Sequence, residues 1–142
     1  MKQLILIIII NFGIYGCKKE MKSNSDITSY STNGEAIFRT GKNKNGEVLQ
    51  DINSSEMKMV HSCQNCHGSD GKGGDIMMRN TPSIRYKDLI NPKIHTIPYN
   101  DSLIIRFIDH ELKSDGTKAN TGVVFKMSLQ DKKDLINYLK IL

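Results

Sequence analysis

Large aromatic side chains are scarce in this sequence. Its 142 residues include no tryptophan, and aromatic residues make up only 6% of the chain. The hydrophobic content is 38%, and the length suits one domain with a short appendage. A core built only from these side chains would be marginal. A buried prosthetic group would supply apolar surface that the polypeptide lacks.

The sequence also lacks any concentration of charge of one sign. Lys and Arg number 20 against 15 Asp and Glu, which gives a formal net charge of +5. No dense run of basic residues with interleaved aromatics is present, so the composition excludes an obvious nucleic-acid interface. It describes a mildly basic surface that carries both signs of charge.

Cysteine is scarce too, and the chain has only Cys17, Cys63 and Cys66. An odd number in an exported protein ordinarily leaves a free thiol or an intermolecular bridge. The one Cys-x-x-Cys pair has no second pair to complete a zinc site. The surroundings of the three cysteines nevertheless suggest a separate covalent role for each.

The beginning of the chain has the pattern of an export signal. Lys2 precedes an apolar run over residues 4–10, which is typical of a secretory signal peptide and too short for the ~20 residues of a transmembrane helix. The following Ile14-Tyr15-Gly16-Cys17 resembles a bacterial lipobox, although Tyr15 stands where a small residue is usual. The alternative is an uncleaved anchor with Cys17 as an incidental thiol.

These patterns divide the chain into three parts. We expect a lipoprotein signal peptide over residues 1–16, cleaved before Cys17, and a flexible polar tether over residues 17–32. A single folded domain would occupy residues 33–142. Lipid on Cys17 would anchor that domain to a membrane, on its periplasmic or outer face.

The sequence Cys63-Gln64-Asn65-Cys66-His67 is the most informative stretch. Two residues between the cysteines place both sulfurs on one side of a helical turn, where they can form thioethers with the two vinyl groups of one porphyrin. The adjacent histidine can then bind the iron. A thioredoxin-like dithiol is the alternative, but the flanking residues do not suggest a βαβ unit. We therefore predict one haem c bound covalently through Cys63 and Cys66, with His67 as an iron ligand.

The motif, the glycine-rich residues 68–74 and the segment Asn80-Thr81-Pro82-Ser83-Ile84 together resemble the class I c-type cytochromes. The resemblance covers most of residues 33–142. It implies an all-α fold in which a few helices wrap around one covalently bound haem. It also implies that Pro82 presents its ring or its carbonyl to the iron-bound histidine.

Three helices are expected in the domain. The first begins near Asn33 as its cap, a middle helix spans residues 101–112, and the last follows Ser128 as its N-cap. The apolar face of the middle helix is Leu103, Ile104, Phe107 and Ile108, and that of the last helix is Leu135, Ile136, Tyr138, Leu139 and Leu142. The resemblance implies that the first and last helices cross, with Gly34 and Phe38 opposite Leu135 and Tyr138. The loop over residues 41–62 is longer than in most small members, and could serve as a docking surface or a haem cover.

The second axial ligand of the iron is less clear. The family usually carries it as a methionine in a Met-Pro pair shortly before the last helix, and this sequence has no Met-Pro. Matching the last helix to the family places Gly122 or Val123 at that position. The candidates are Met127, then Met77 or Met78, then His110 or His95. An open distal side or a lysine ligand is the remaining possibility.

The resemblance implies an electron carrier rather than an enzyme, working with redox partner proteins in the cell envelope. The same domain could serve as an accessory electron-transfer subunit of an oxidoreductase. The missing Met-Pro keeps a second function open, that of a haem-based sensor or gas-binding domain with an open or non-methionine distal site.

Overall fold

The computed structural model describes residues 29–56, 58–76 and 79–142. The predicted signal peptide, Cys17, most of the predicted tether and both Met77 and Met78 lie outside the described residues. No helix among the described residues is both long enough and apolar enough to cross a membrane.

The described part of the chain contains five helices and one short β-hairpin. In chain order the elements are α1 (Asn33–Thr40), α2 (Cys63–His67), β1 (Gly74–Ile76), β2 (Arg79–Thr81), α3 (Tyr86–Leu89), α4 (Asp101–His110) and α5 (Leu129–Ile141). The strands pair antiparallel, with Gly74 opposite Thr81. The fold is therefore mainly helical, as predicted. The hairpin is an addition that the all-α prediction did not include.

Helices α1 and α5 cross in contact, which confirms the predicted pairing of the first and last helices. At the crossing, a Cβ on Gly34 would lie 2.6 Å from the carbonyl carbon of Asp134 and 2.8 Å from Cβ of Tyr138. The Phe38 and Tyr138 rings lie 5.4 Å apart between centroids. The main core around this crossing consists of Ile37, Phe38, Leu49, Leu135, Tyr138 and Leu139.

The predicted cap of α1 was wrong, because Thr32 rather than Asn33 is the N-cap. The Thr32 hydroxyl accepts a hydrogen bond from the backbone N–H of Glu35 at 3.0 Å. The amide of Asn33 instead donates to two carboxylates of α5, Asp131 at 3.0 Å and Asp134 at 2.8 Å. At the other helix, Ser128 caps α5 as predicted and accepts from the N–H of Asp131 at 3.1 Å.

Helix α4 begins at Asp101 as predicted but ends at His110 rather than at residue 112. The helix stops because Glu111 adopts a left-handed conformation with φ of 54°. Its carboxylate accepts the backbone N–H of Thr121 at 2.7 Å. Within the predicted apolar face, Ile104 is buried and the other three residues are half-buried. A second core cluster, formed by Leu89, Ile104 and Ile136, packs α3 and α4 against α5.

The long loop over residues 41–62 folds back onto the segment that immediately precedes α5. Gln50 and Phe125 form an antiparallel β-bridge. On either side of it, the N–H of Lys126 donates to the carbonyl of Leu49 at 2.6 Å, and that of Asp51 donates to the carbonyl of Val124 at 2.8 Å. The loop thus becomes a neighbour of the segment in which the family usually carries its second axial ligand.

Candidate functional site

The Cys-x-x-Cys-His motif forms the short helix α2, as the sequence predicts. The side-chain oxygen of Asn65 accepts the backbone N–H of Ser62 at 2.8 Å and its hydroxyl at 2.5 Å, which closes the start of the helix. The amide of Gln64 donates to the carbonyl of Arg39 at 2.9 Å. Both residues between the cysteines therefore fix the motif in place, and Gln64 ties it to the end of α1.

The two cysteines are free thiols, and both residues are half-buried. Cys63 packs against the main core, while Cys66 follows it on the same helix. Although Cys63 as a residue is half-buried, burial of its thiol raises the pKa to about 12. A redox-active dithiol needs a thiol with a lowered pKa, so this environment disfavours the thioredoxin-like alternative.

His67 is oriented by the backbone of Pro82. Its Nδ1 lies 2.8 Å from the Pro82 carbonyl oxygen. A carbonyl can only accept a hydrogen bond, so Nδ1 carries the proton and Nε2 keeps its lone pair. Burial lowers the pKa of His67 and outweighs the opposing effect of this hydrogen bond. The imidazole is therefore held neutral, in the tautomer that a metal ligand requires.

The hairpin and the glycine-rich loop hold the end of α2 through hydrogen bonds to its backbone carbonyls. The Thr81 hydroxyl donates to the carbonyl of Cys66 at 2.6 Å, and the N–H of Gly73 donates to the carbonyl of His67 at 2.9 Å. Gly73 has φ of +71°, and a Cβ there would lie 2.5 Å from the Pro82 carbonyl oxygen. The glycine is thus needed for the close approach of the loop to the Thr81-Pro82 segment.

Sequence reasoning singled out the segment around Thr81 but missed the contribution of its hydroxyl. It also missed the contacts of Gln64 and Asn65. Gln64 and Thr81 bond to backbone carbonyls that are distant in sequence, those of Arg39 and Cys66. The only local signal was the Ser62-x-x-Asn65 spacing, which resembles a capping box at the start of a helix.

Among the candidates for the second axial ligand, Met127 is half-buried and packs against the same core cluster as Cys63. His110 is exposed at the end of α4. His95 is half-buried, its ring packs edge-on against Tyr99 at 5.1 Å, and its buried Nε2 has no hydrogen-bond partner. Of these three side chains, Met127 is the one that packs against the core cluster that Cys63 also contacts.

These residues fit a covalently bound haem. Two free thiols stand one helical turn apart, and the adjacent histidine is neutral with Nε2 available. When bound, a haem supplies one-electron exchange between ferrous and ferric iron.

Comparison with known proteins gives the same picture. The family model described as Cytochrome c matches residues 31–142. No curated protein and no solved structure matches the chain. Domains of this family bind haem c covalently and transfer electrons, and they are typically carriers rather than enzymes. Because the match spans most of the chain and includes the whole motif, the protein belongs to the cytochrome c family and contains a class I c-type cytochrome domain.

Proposed function

We propose that this protein is a monohaem electron carrier of the bacterial cell envelope, with His67 and Met127 as its axial ligands. The observation that carries the proposal is the hydrogen bond from His67 Nδ1 to the Pro82 carbonyl, on a helix that also presents Cys63 and Cys66. One haem is proposed because the chain contains a single Cys-x-x-Cys-His motif.

The geometry around the motif suits electron transfer. Four hydrogen bonds connect α2, which includes His67, to neighbouring segments of the chain. They involve Gln64, Thr81, Gly73 and Pro82. Such support keeps the ligand in one orientation in both oxidation states, so little rearrangement accompanies the transfer. The mildly basic, mixed-charge surface suits transient docking to redox partner proteins rather than permanent assembly.

Met127 is proposed as the distal ligand because of its position. It lies between Lys126, whose N–H donates to the carbonyl of Leu49, and Ser128, the N-cap of α5. Its side chain packs against the same core cluster as Cys63. A thioether ligand stabilises the ferrous state and raises the reduction potential. That property suits a carrier that delivers electrons to a high-potential acceptor.

The experiment uses protein produced with the haem-attachment machinery. We expect a low-spin c-type spectrum and, in the ferric state, the weak far-red band that marks methionine ligation. Met127→Ala should abolish the band. Met59→Ala, at a methionine that is 67% exposed, is the matched control and should retain it.

The other outcomes select among the alternatives. A low-spin spectrum without the far-red band would point to His95 or another nitrogen ligand, and His95→Ala would then change the spectrum. A high-spin spectrum that shifts when carbon monoxide is added would favour a haem-based sensor or gas-binding domain. A failure of Met127→Ala to change a band present in the wild type would rule out Met127.

We further propose that lipid on Cys17 tethers the domain to a membrane. The sequence support is the lipobox-like Ile14-Tyr15-Gly16-Cys17 after an apolar run. A tether would raise the local concentration of the carrier near membrane-bound partners, including an oxidoreductase that it would serve as an accessory subunit. The wild-type protein should incorporate a labelled fatty acid, and Cys17→Ser should abolish that incorporation. Equal labelling of the wild type and the variant, or no labelling of the wild type, would contradict lipidation at this cysteine.

A further inference from the structure

Residues 49–55 of the long loop and residues 123–126 before α5 form a two-stranded contact, which we call the clamp. Backbone hydrogen bonds join Lys126 to Leu49 at 2.6 Å and Asp51 to Val124 at 2.8 Å, around the bridge between Gln50 and Phe125. The hydrogen bonds of the clamp join residues that are 69 to 77 positions apart in sequence. It ends one residue before Met127.

Ser55 is the last loop residue of the clamp and is only 1% exposed. Its hydroxyl donates to the Asp51 carbonyl at 2.7 Å and accepts the backbone N–H of Val124 at 2.8 Å. One hydroxyl therefore serves both strands of the clamp. Removing it would leave the N–H of Val124 without this partner, in a hydrogen bond that is part-buried on the Ser55 side although Val124 itself is 37% exposed, and losing such a bond is more costly than losing a fully exposed one.

A salt bridge reinforces the same contact at the surface. Nζ of Lys126 lies 2.8 Å from a carboxylate oxygen of Asp51, whose side chain is 11% exposed. On the other side of Met127, the Ser128 hydroxyl donates to the Asp131 carboxylate at 2.6 Å. The backbone of Met127 is consequently held on both sides, by the clamp and by the cap of α5.

We propose that the clamp positions Met127 as the distal ligand, with Ser55 as the main positioning residue. This proposal rests on Met127 being that ligand. Fixing the backbone on both sides in advance lowers the entropy lost when the thioether binds iron. Displacement of Met127 by an external ligand would then require the segment to move and the clamp to open. The long loop thereby fixes the position of Met127 in a sequence that has no Met-Pro pair.

Imidazole is the probe, because it competes with the thioether for ferric iron. Its apparent affinity equals its intrinsic affinity multiplied by the fraction of protein in which Met127 is off the iron. We expect Ser55→Ala to raise the imidazole affinity of the ferric holoprotein by about tenfold, which corresponds to one buried hydrogen bond. The reduction potential should fall in the same variant, because methionine ligation is weakened.

The matched control is Asn100→Ala. It removes the hydrogen bond that the N–H of Leu103 donates to the side-chain oxygen of Asn100, the N-cap of α4, and so destabilises the protein away from the clamp. We expect its imidazole affinity to equal that of the wild type. An equal increase in both variants would show that general destabilisation is responsible, and would overturn the proposal.

A second variant covers the case in which Ser55→Ala does not fold. Lys126→Gln removes only the surface salt bridge, because the Lys126 side chain is 73% exposed and its backbone bond remains. It should raise imidazole affinity in the same direction but by a smaller factor. Wild-type affinity in every folded clamp variant would mean that Met127 leaves the iron by side-chain rotation alone, and would overturn the clamp proposal while Met127 remained the ligand. A wild-type protein without the far-red band would instead remove Met127 as the ligand, and the clamp proposal with it.

Discussion

Replacing Gly34 with alanine tests the crossing of α1 and α5 on which the domain is built. In an isolated helix interior this change would stabilise by about 1 kcal/mol, because alanine has the higher helix propensity. Here the new Cβ would lie 2.6 Å from the carbonyl carbon of Asp134 and 2.8 Å from Cβ of Tyr138. Both atoms belong to or adjoin the backbone of α5, so no rotamer change can relieve the overlap.

The expected result is a net destabilisation. Overpacking of a filled core costs about 1–3 kcal/mol or more, and a backbone clash lies at the upper end. After subtracting the propensity gain of about 1 kcal/mol, we expect Gly34→Ala to lose about 2 kcal/mol in urea unfolding of the holoprotein. Lys133→Ala, at an exposed position of α5, is the control and should change stability by less than about 0.5 kcal/mol. A Gly34→Ala variant as stable as the wild type would refute the close packing of α1 against α5.

Three further substitutions test local features of the structure. Ser128→Ala removes the cap of α5 and should cost about 0.5–2 kcal/mol in urea unfolding, and an unchanged midpoint would contradict its capping role. The salt bridge to Lys126 is the main cause that lowers the pKa of Asp51 from 3.8 to about 2. Because the folded pKa is the lower one, this stabilisation is complete above pH 3.8 and is lost as the pH falls towards 2. Acid titration followed by circular dichroism should therefore show Asp51→Asn less stable than the wild type at neutral pH, with the difference vanishing near pH 2. A stability difference that persisted near pH 2 would show that the titration of Asp51 is not its cause. Thr81→Val deletes the hydroxyl that donates to the Cys66 carbonyl and should lower the free energy of unfolding by about 1 kcal/mol. An unchanged stability would show that this hydrogen bond does not help to hold the motif.

The features that sequence predicted correctly rest on short-range signals. Cys63, Cys66 and His67 lie within five consecutive residues, so their spacing alone predicts one helical turn, which the structure contains as α2. The α5 cap could be read from Ser128 and Asp131, three residues apart. The crossing partners Gly34 and Tyr138 were identified through the family resemblance, because nothing local links residues so far apart in sequence.

The missed features depend on long-range contacts. Asn33 is a good capping residue by type, but two carboxylates of α5 bind its amide and Thr32 takes the cap. The loop over residues 41–62 offers no periodic pattern, and its pairing with the segment before α5 depends on single backbone bonds and on Ser55. Propensity describes neither case, because tertiary contacts decide which of several acceptable partners a polar side chain takes.

The most direct test of the account is the mass of the holoprotein after denaturation and extraction of free haem with acidified organic solvent. We expect one haem to remain attached, and a pyridine haemochrome assay to give the spectrum of a haem with two thioether bonds. Cys66→Ser should shift that spectrum to the single-thioether form. Complete extraction of the haem from the wild-type protein, or no haem at all, would contradict the assignment of Cys63 and Cys66 as its attachment site.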